Sequence, residues 1–327
     1  MNTMTSAKGV PARTRIMQGL ARHGEILIFL LFLVLCAVTE MLAPEFLSGR
    51  NIANVARQAS ALGIVSIGQT IAIISLGIDL SVSSVATMAG VIAATVMVGK
   101  TGMVIPATLL GLATGIVVGL ANGLLIAKVK LPDFIVTLAT FSAVDGLMLV
   151  YTQGRSVGSI TPGFAFISEG NVGPVPTSVF VWLGFAAMAF VFLRYTRLGR
   201  HVFAVGGNRE VARLSGVNVI WTKILVYVLS GFLAAAAGLM LLARMAVGYP
   251  LAGQAFQLDS IAASVVGGAS LFGGRGGITG TIVGVLILSV LNNSFNLIGV
   301  STFSQFVIKG FVIIAVVAIR ARGETRK

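Results

Sequence analysis

Long apolar segments separated by short polar ones run along most of the chain. Ten of them approach the length of about 20 residues that a helix needs to cross a bilayer. They are 26–43, 60–77, 83–99, 103–127, 133–151, 178–193, 223–243, 257–272, 277–296 and 303–320. The pattern predicts an all-α polytopic membrane protein with about ten transmembrane helices, in a single transmembrane domain over 26–320 between tails at 1–25 and 321–327.

Composition supports this prediction. The chain is 56% hydrophobic and 10% charged, and its mean hydropathy is +0.99; a soluble domain carries roughly 25% charged residues. The net charge is +13, which in a soluble protein would suggest a nucleic-acid partner. Because the cations flank apolar segments, we expect a lipid bilayer and no nucleic acid as the partner.

The placement of lysine and arginine predicts the orientation. If the N-terminus is cytoplasmic and the spans alternate, 17 of the 23 cations fall inside, five fall outside and Lys309 lies within a span. The positive-inside rule therefore predicts cytoplasmic N- and C-termini and puts the polar loop 194–223 in the cytoplasm. The largest outside loop, 152–177, is rich in glycine and proline, which predicts turns and no separate domain.

Residues for catalysis or metal binding are scarce. The only histidines are His23 and His201, so no metal site is predicted, and no nucleophile lies near a base in the pattern. We expect a chain that is not an enzyme.

Ionisable residues inside a membrane are costly and are therefore functional candidates. Asp79 interrupts an apolar run and has serines on both sides. It fits either a broken helix beside a water-filled path or a plain cytoplasmic turn between two spans. Asp145 and Lys309 lie deeper and Asp259 begins a span; we expect Lys309 to pair with an aspartate as a structural bridge.

Neutral polar residues at membrane depth could line a path for a polyhydroxy solute, with aromatic rings against the apolar face of a sugar. The alternative is hydrogen bonding between helices, which is worth about 0.6 kcal/mol on average. The candidate pathway residues are Gln69, Asp79, Ser81, Asn122, Phe141, Asp259, Asn292 and Asn293.

Glycines recur every fourth residue at Gly111, Gly115, Gly119 and Gly123. They share one helix face, which lets two helix backbones approach closely. This face fits either packing within the bundle or a contact with a second subunit.

Several motifs resemble one family of transport proteins. Four segments are similar in sequence and order to the sugar-type permeases of ATP-binding-cassette (ABC) importers, the group of the ribose, xylose and autoinducer-2 permeases. They are Gly207–Val219 followed by Leu225–Gly238, Phe256–Gly284, Ile73–Ser84 and Pro132–Leu149. The resemblance covers about residues 25–320. It would also place a glycine at Leu76 or Ser83 and a basic residue near Asp145, which this chain lacks.

The resemblance implies a transmembrane permease subunit that moves a monosaccharide or related small polyol across the bacterial inner membrane. The implied partners are an ABC ATPase subunit, a periplasmic sugar-binding protein and a second permease copy or paralogue that completes a dimer. ATP and Mg²⁺ would be bound by the ATPase, and no cofactor by this chain. An ion-coupled secondary transporter acting alone remains the alternative.

The resemblance also implies that the loop 194–223 carries the helix that couples to the ATPase. By residue type, Asn208 can cap a short helix from Arg209 to Leu214 that Gly216 ends. Arg209, Glu210 and Arg213 would then face the aqueous partner, while Ala212 and Leu214 would pack into its cleft. The full coupling set is Gly207, Asn208, Arg209, Glu210, Ala212, Arg213, Leu214, Ser215 and Gly216.

Overall fold

The computed structural model describes residues 24–301 and 303–311. They belong to two units, one formed by Met1–Ser48 with Ser294–Lys327 and the other by Gly49–Asn293. Nearly all of the predicted tail 1–25 and the whole tail 321–327 lie outside the described residues.

The smaller unit contains helix α1, Gly24–Leu42, and the helical residues 303–311. Thr39 of α1 donates a hydrogen bond to the Ser294 hydroxyl at 2.8 Å. Of the predicted span 303–320, the structure describes residues 303–311, and these are helical.

The larger unit is a series of helices with one short hairpin. The helices are α2 Gly49–Ile74, α3 Val82–Met97, α4 Val104–Ala127, α5 Asp133–Thr152, α6 Pro162–Glu169, α7 Thr177–Tyr195, α8 Arg197–Gly207, α9 Arg209–Leu214, α10 Val219–Met245, α11 Phe256–Val266 and α12 Ile278–Leu297, whose last residues belong to the smaller unit. A 3₁₀ turn, Thr101–Met103, precedes α4. Strands β1 Asn171–Val172 and β2 Val175–Pro176 pair antiparallel, with Val172 opposite Val175.

Five helical segments are long and apolar enough to cross a membrane. They are Thr101–Ala127, Asp133–Thr152, Thr177–Tyr195, Val219–Met245 and Ile278–Leu297. Shorter apolar helices occur at Phe32–Leu42, Val82–Met97 and Phe256–Val266. The prediction of a helical polytopic membrane protein is confirmed at this level.

Two helices have bounds that differ from the predicted spans. Helix α2 begins at Gly49, well before position 60, because the helix continues through Arg50 and Arg57 although these charges lower the local hydropathy. The predicted span 257–272 ends as a helix at Val266. Several glycines beyond it have positive φ angles, as at Gly268 and Gly273, and this conformation cannot continue a right-handed helix.

Both polar loops contain helices that hydropathy did not predict. In the loop 152–177, Thr161 caps α6 by accepting a hydrogen bond from the Phe164 N–H, and Pro162 occupies its first turn, where a missing N–H costs nothing. In the loop 194–223, Thr196 caps α8 in the same way through the Gly199 N–H. The start of each helix is determined by its N-cap residue, and hydropathy does not detect capping.

The core of the larger unit forms around α2 and α10. Every residue of α2 from Ala59 to Ile74 is buried, so this part of the helix is enclosed on all sides. The glycine face of α4 packs on α10, where Gly115 meets the Gly231 carbonyl and Gly119 meets the Tyr227 carbonyl. The glycine repeat therefore packs two helices of the same chain.

Candidate functional site

The short helix α9 has the capped geometry that the sequence predicts. The Asn208 side-chain oxygen accepts hydrogen bonds from the Glu210 and Val211 N–H groups at 3.0 and 3.1 Å. Gly216, just past the helix, has a φ of +83°, and its N–H donates to the Arg213 carbonyl at 3.0 Å. The predicted cap, helix and helix end are confirmed.

One face of α9 is exposed. Val211 and Leu214 are 58% and 76% exposed, although both are apolar. Glu210 and Arg213 pair with each other on the same short helix, and the hydrogen bond and charge of Arg213 lower the pKa of Glu210. The exposed surface of α9 thus combines two apolar side chains with an ion pair.

One prediction for α9 is wrong: Ala212 is buried against its own chain, so it cannot enter the cleft of a partner. Arg209 is 47% exposed, so its contact with a partner stays a prediction, but it also contacts the membrane helices. Its Nη2 donates to the Leu76 carbonyl at 3.3 Å and lies 3.8 Å from Asp133 Oδ1. Gly207, Ser215 and Gly216 are exposed.

The end of α8 is pressed against the end of α2. A Cβ on Gly206 would overlap the Ile74 carbonyl, so only glycine fits there. The same carbonyl accepts a hydrogen bond from the Gly274 N–H at 2.8 Å. Helices α8 and α9 are thereby seated on the connection between α2 and α3.

That connection is a break between two helices, and Leu76 lies within it. Leu76 has a φ of +59°, a left-handed conformation that costs a non-glycine residue roughly 1–2 kcal/mol. It is also one of the two positions where the resemblance implies glycine. The chain adopts the glycine conformation here with a leucine, and the Gly77 N–H closes the turn by donating to the Ala72 carbonyl at 3.0 Å.

Asp79 lies in the same break and is 1% exposed. Its Oδ1 accepts from the Ser81 N–H and hydroxyl at 3.0 and 2.6 Å, and its Oδ2 accepts from the Ser230 hydroxyl at 2.7 Å. Asn122 donates to the Ser81 hydroxyl at 3.0 Å and accepts from Thr140 at 2.6 Å. A solvent-exposed turn does not fit this burial; the break is a buried polar network.

The other pathway candidates fall into separate contacts. Asn292 donates to Asp259 Oδ2 at 2.9 Å. Asn293 exchanges two amide hydrogen bonds with Asn51, at 2.8 and 2.9 Å. Phe141 is half-buried on α5. The structure thus brings Asp79, Ser81 and Asn122 into one network and pairs Asp259 with Asn292.

Gln69 differs from the other candidates. It is fully buried on α2, and neither its amide nitrogen nor its oxygen has a hydrogen-bond partner among the described residues. The hydroxyls of Ser66, one turn away, and of Ser260 on α11 are likewise unpaired in the described part of the chain. The two helices adjoin, since the Ser264 hydroxyl lies 2.8 Å from Thr70 Oγ1. Unpaired polar atoms in a protein interior are rare and call for an explanation.

Sequence reasoning missed Lys223, Tyr227 and Ser230 as members of the site. They recur at i, i+4 and i+7 on α10, so they share one helix face, and each contacts Asp133 or Asp79. Three polar residues on one face of an apolar span were the available signal. The sequence signal for Asp133 was weaker: it is the first residue of a helix and follows Pro132.

Asp145 and Lys309, the other charged residues that the sequence places within predicted spans, lie in different units. Asp145 is half-buried on α5 and has no ion pair in the described ranges. Lys309 belongs to the smaller unit, and its pairing with an aspartate stays a prediction.

Comparison with known proteins identifies the family of this chain. A family model described as "Branched-chain amino acid transport system / permease component" matches residues 51–317. Similar curated proteins include the ribose import permease protein of Bacillus subtilis, 42% identical over 89% of this chain and 91% of the relative. The L-arabinose transport system permease protein of Escherichia coli is 36% identical over 90% and 89%. The xylose transport system permease protein of Haemophilus influenzae is 34% identical over 84% and 89%.

No solved structure matches the chain significantly. The family model nevertheless spans most of the sequence, and the relatives are covered nearly end to end. The chain belongs to the permease-component family of the branched-chain amino acid transport system type and is a multi-pass membrane protein.

Proposed function

We propose that the chain is the membrane-spanning permease subunit of an ABC importer that carries a monosaccharide across the bacterial inner membrane. Family membership supports the permease role, and relatives named for ribose, arabinose and xylose support the substrate class. The observation that carries the coupling part of the proposal is α9, a capped helix whose exposed apolar face has no cover within the described residues. A second copy or a paralogue completes the pore.

The orientation is part of the proposal. The bias of lysine and arginine puts both termini and the loop 194–223 in the cytoplasm, in a transmembrane domain of about ten spans. Among the described residues, five long apolar helices, three shorter ones and the buried part of α2 correspond to nine of these predicted spans, which supports that number. On this arrangement, α9 faces the compartment that contains ATP.

Helix α9 docks on the ATPase subunit. Val211 and Leu214 supply an apolar contact, and the Glu210–Arg213 pair supplies polar contacts at its rim. ATP and Mg²⁺ are bound by that subunit, and this chain binds no cofactor. The chain itself performs no chemistry; it converts movement at α9 into opening of a path.

The opposite side of the membrane receives the sugar from a binding protein. There α6 and the β1–β2 hairpin form a structured surface in place of a loose loop. Arg57 of α2 secures it, with Nη2 3.0 Å from the Asn171 side-chain oxygen and Nε 3.7 Å from Glu169. A rigid receiving surface suits docking of a soluble partner, since less conformational entropy is lost on binding.

The sugar passes along the buried polar atoms of α2 and α11. Gln69, Ser66 and Ser260 present donors and acceptors without partners among the described residues, and sugar hydroxyls would satisfy them. Leaving such groups unpaired costs about 1–3 kcal/mol each, so a transported ligand gains that energy on entry. In the described state the path is closed, since these residues are buried.

Uptake by reconstituted protein tests the function. The chain is purified with the subunits that co-purify with it and placed in liposomes, with radiolabelled ribose, xylose and arabinose as probes. We expect uptake of at least one sugar that requires ATP on the α9 side and a binding protein on the other. Uptake by the chain alone, abolished by an ionophore, would identify an ion-coupled secondary transporter; absence of uptake of any solute would identify a membrane scaffold.

A further inference from the structure

The carbonyl of Leu76 is shared by two cations from different elements. Arg209 Nη2 of α9 lies 3.3 Å from it, and Lys223 Nζ of α10 lies 3.1 Å from it. The carbonyl follows the C-terminal end of α2, where unpaired carbonyls concentrate partial negative charge. Both cations therefore hold the end of the same helix.

Asp133 binds the same two cations from the other side. Its Oδ2 accepts from Lys223 Nζ at 2.8 Å and from the Tyr227 hydroxyl at 2.7 Å, while its Oδ1 lies 3.8 Å from Arg209 Nη2. One turn along α5, Thr137 donates to the Ile78 carbonyl at 3.2 Å. Helices α5, α9 and α10 thus all bond to the segment between α2 and α3.

Gly77 places the backbone of that segment directly against the cluster. A Cβ on Gly77 would lie 2.6 Å from Asp133 Oδ2, 2.7 Å from the Tyr227 hydroxyl and 3.0 Å from Lys223 Nζ. A displacement of these polar groups toward Gly77 would therefore press on the chain there. Asp79 is two residues further on and is bonded to Ser230, on the same face of α10 as Tyr227.

We propose that this cluster, here called the Leu76 link (the Leu76 carbonyl with Arg209, Lys223, Asp133 and Tyr227), transmits movement of α9 to the buried segment that contains Asp79. The inference rests on the proposed docking of α9. In it, Arg209 is a positioning residue that connects α9 to the membrane helices, and the ATPase is bound by the opposite, apolar side of α9. Within the link the Lys223–Asp133 pair has a lysine that is 2% exposed, so that pair is little screened by solvent, whereas Arg209, which joins α9 to it, is 47% exposed.

The test measures sugar transported per ATP hydrolysed in liposomes that contain the full complex. Arg209→Gln removes the charge but keeps a polar side chain, and Arg200→Gln makes the same change on α8 at an exposed arginine with no ion pair among the described residues. Coupling between sites is typically worth about 5- to 150-fold, so Arg209→Gln should lower the sugar-to-ATP ratio by about tenfold. The ATPase subunit should stay bound and active, and Arg200→Gln should change nothing.

Two variants at Lys223 test the other cation of the link. Lys223→Met also lowers stability, so its ratio is measured below its unfolding midpoint, where it should fall in the same way. Lys223→Arg keeps the charge and should retain part of the ratio. An unchanged ratio in Arg209→Gln would overturn the link. Loss of the bound ATPase in Arg209→Gln would also overturn it, by making Arg209 a docking residue. A wild-type chain that binds no ATPase would overturn the proposed function, and the link with it.

Discussion

Lys223 Nζ and Asp133 Oδ2 lie 2.8 Å apart and form an ion pair in which the lysine is 2% and the aspartate 15% exposed. The pair joins the N-terminal part of α10 to the first residue of α5. Each charge has further partners, since Lys223 also donates to the Leu76 carbonyl and Asp133 also accepts from Tyr227. A charge pair this well satisfied can repay the cost of its own desolvation.

Stability should depend strongly on this pair. Without Lys223, Asp133 keeps only the Tyr227 hydroxyl and the half-exposed Arg209. Breaking a buried pair costs about 3–5 kcal/mol, so Lys223→Met should lower the thermal unfolding midpoint in detergent markedly. Adding Asp133→Asn should recover part of the loss, since the amide is neutral and its oxygen still accepts from Tyr227. Midpoints are compared at one scan rate; a double variant less stable than Lys223→Met would contradict the prediction.

The glycine face of α4 should not tolerate a large side chain. Gly115→Leu must push α4 away from α10, because a Cβ at this position already meets the Gly231 carbonyl and the Ala235 methyl. Overpacking usually costs about 1–3 kcal/mol, and we expect loss of monodisperse protein on size exclusion. Gly146→Leu is the control, since no atom lies near a Cβ at Gly146 of α5; equal damage from both variants would contradict packing as the cause.

Docking of α9 should depend on Leu214. Leu214→Asp adds a charge to the side chain that is 76% exposed, so the free chain should fold normally. Affinity for the ATPase subunit, measured as its retention in a pull-down, should fall by at least about a hundredfold, because burying an unpaired charge in an interface costs several kcal/mol and about 1.4 kcal/mol is tenfold. Leu198→Asp makes the same substitution on α8, outside α9, and is the control variant in the same pull-down. Undiminished ATPase binding by Leu214→Asp would exclude α9 as the docking helix.

Ala212 is unsuitable for that experiment. Its side chain is 3% exposed and already packed within the chain, so Ala212→Asp would damage the fold whether or not α9 docks on anything.

The Gln69→Leu substitution should change stability and sugar transport in opposite directions. Gln69→Leu removes two buried polar atoms that have no partner in the described part of the chain, so the unfolding midpoint should rise, since an apolar replacement ends the desolvation penalty. Sugar uptake should fall at the same time, because the path loses a donor and an acceptor. Gln254→Leu makes the same change at an exposed turn. A Gln69→Leu protein with unchanged uptake would show that Gln69 is not on the path.

Hydropathy and capping signals predicted the parts that local chemistry determines. Apolar runs such as 103–127 correspond to α4 with its 3₁₀ turn, because the length of an apolar run sets whether a helix can span a bilayer. The cap at Asn208 and the helix end at Gly216 also follow from residue type alone, since each satisfies backbone groups within a few residues. The family resemblance was confirmed by a family model that matches residues 51–317 and by relatives covered nearly end to end.

Partners that are distant in sequence could not be predicted in this way. Whether Ala212 faces a partner or its own core depends on where α9 lies, and the same is true of Arg209, whose guanidinium reaches Leu76. The short helix α11 was overestimated for a related reason: hydropathy continues through 267–272, whereas the backbone turns there.

The sequence by itself therefore determined a helical membrane protein, its apolar spans and a capped polar helix between two of them, because these features depend on residue type and short-range spacing; the permease role came from the resemblance to a family. The tertiary structure alone decided that Lys223, Asp133 and Leu76 meet, that Asp79 is buried and bonded to Ser230, and that the glycine face of α4 packs within the chain. Those contacts depend on how helices pack against one another. The periodicity of a sequence predicts which face of a helix is apolar, but it does not predict which other helix packs on that face.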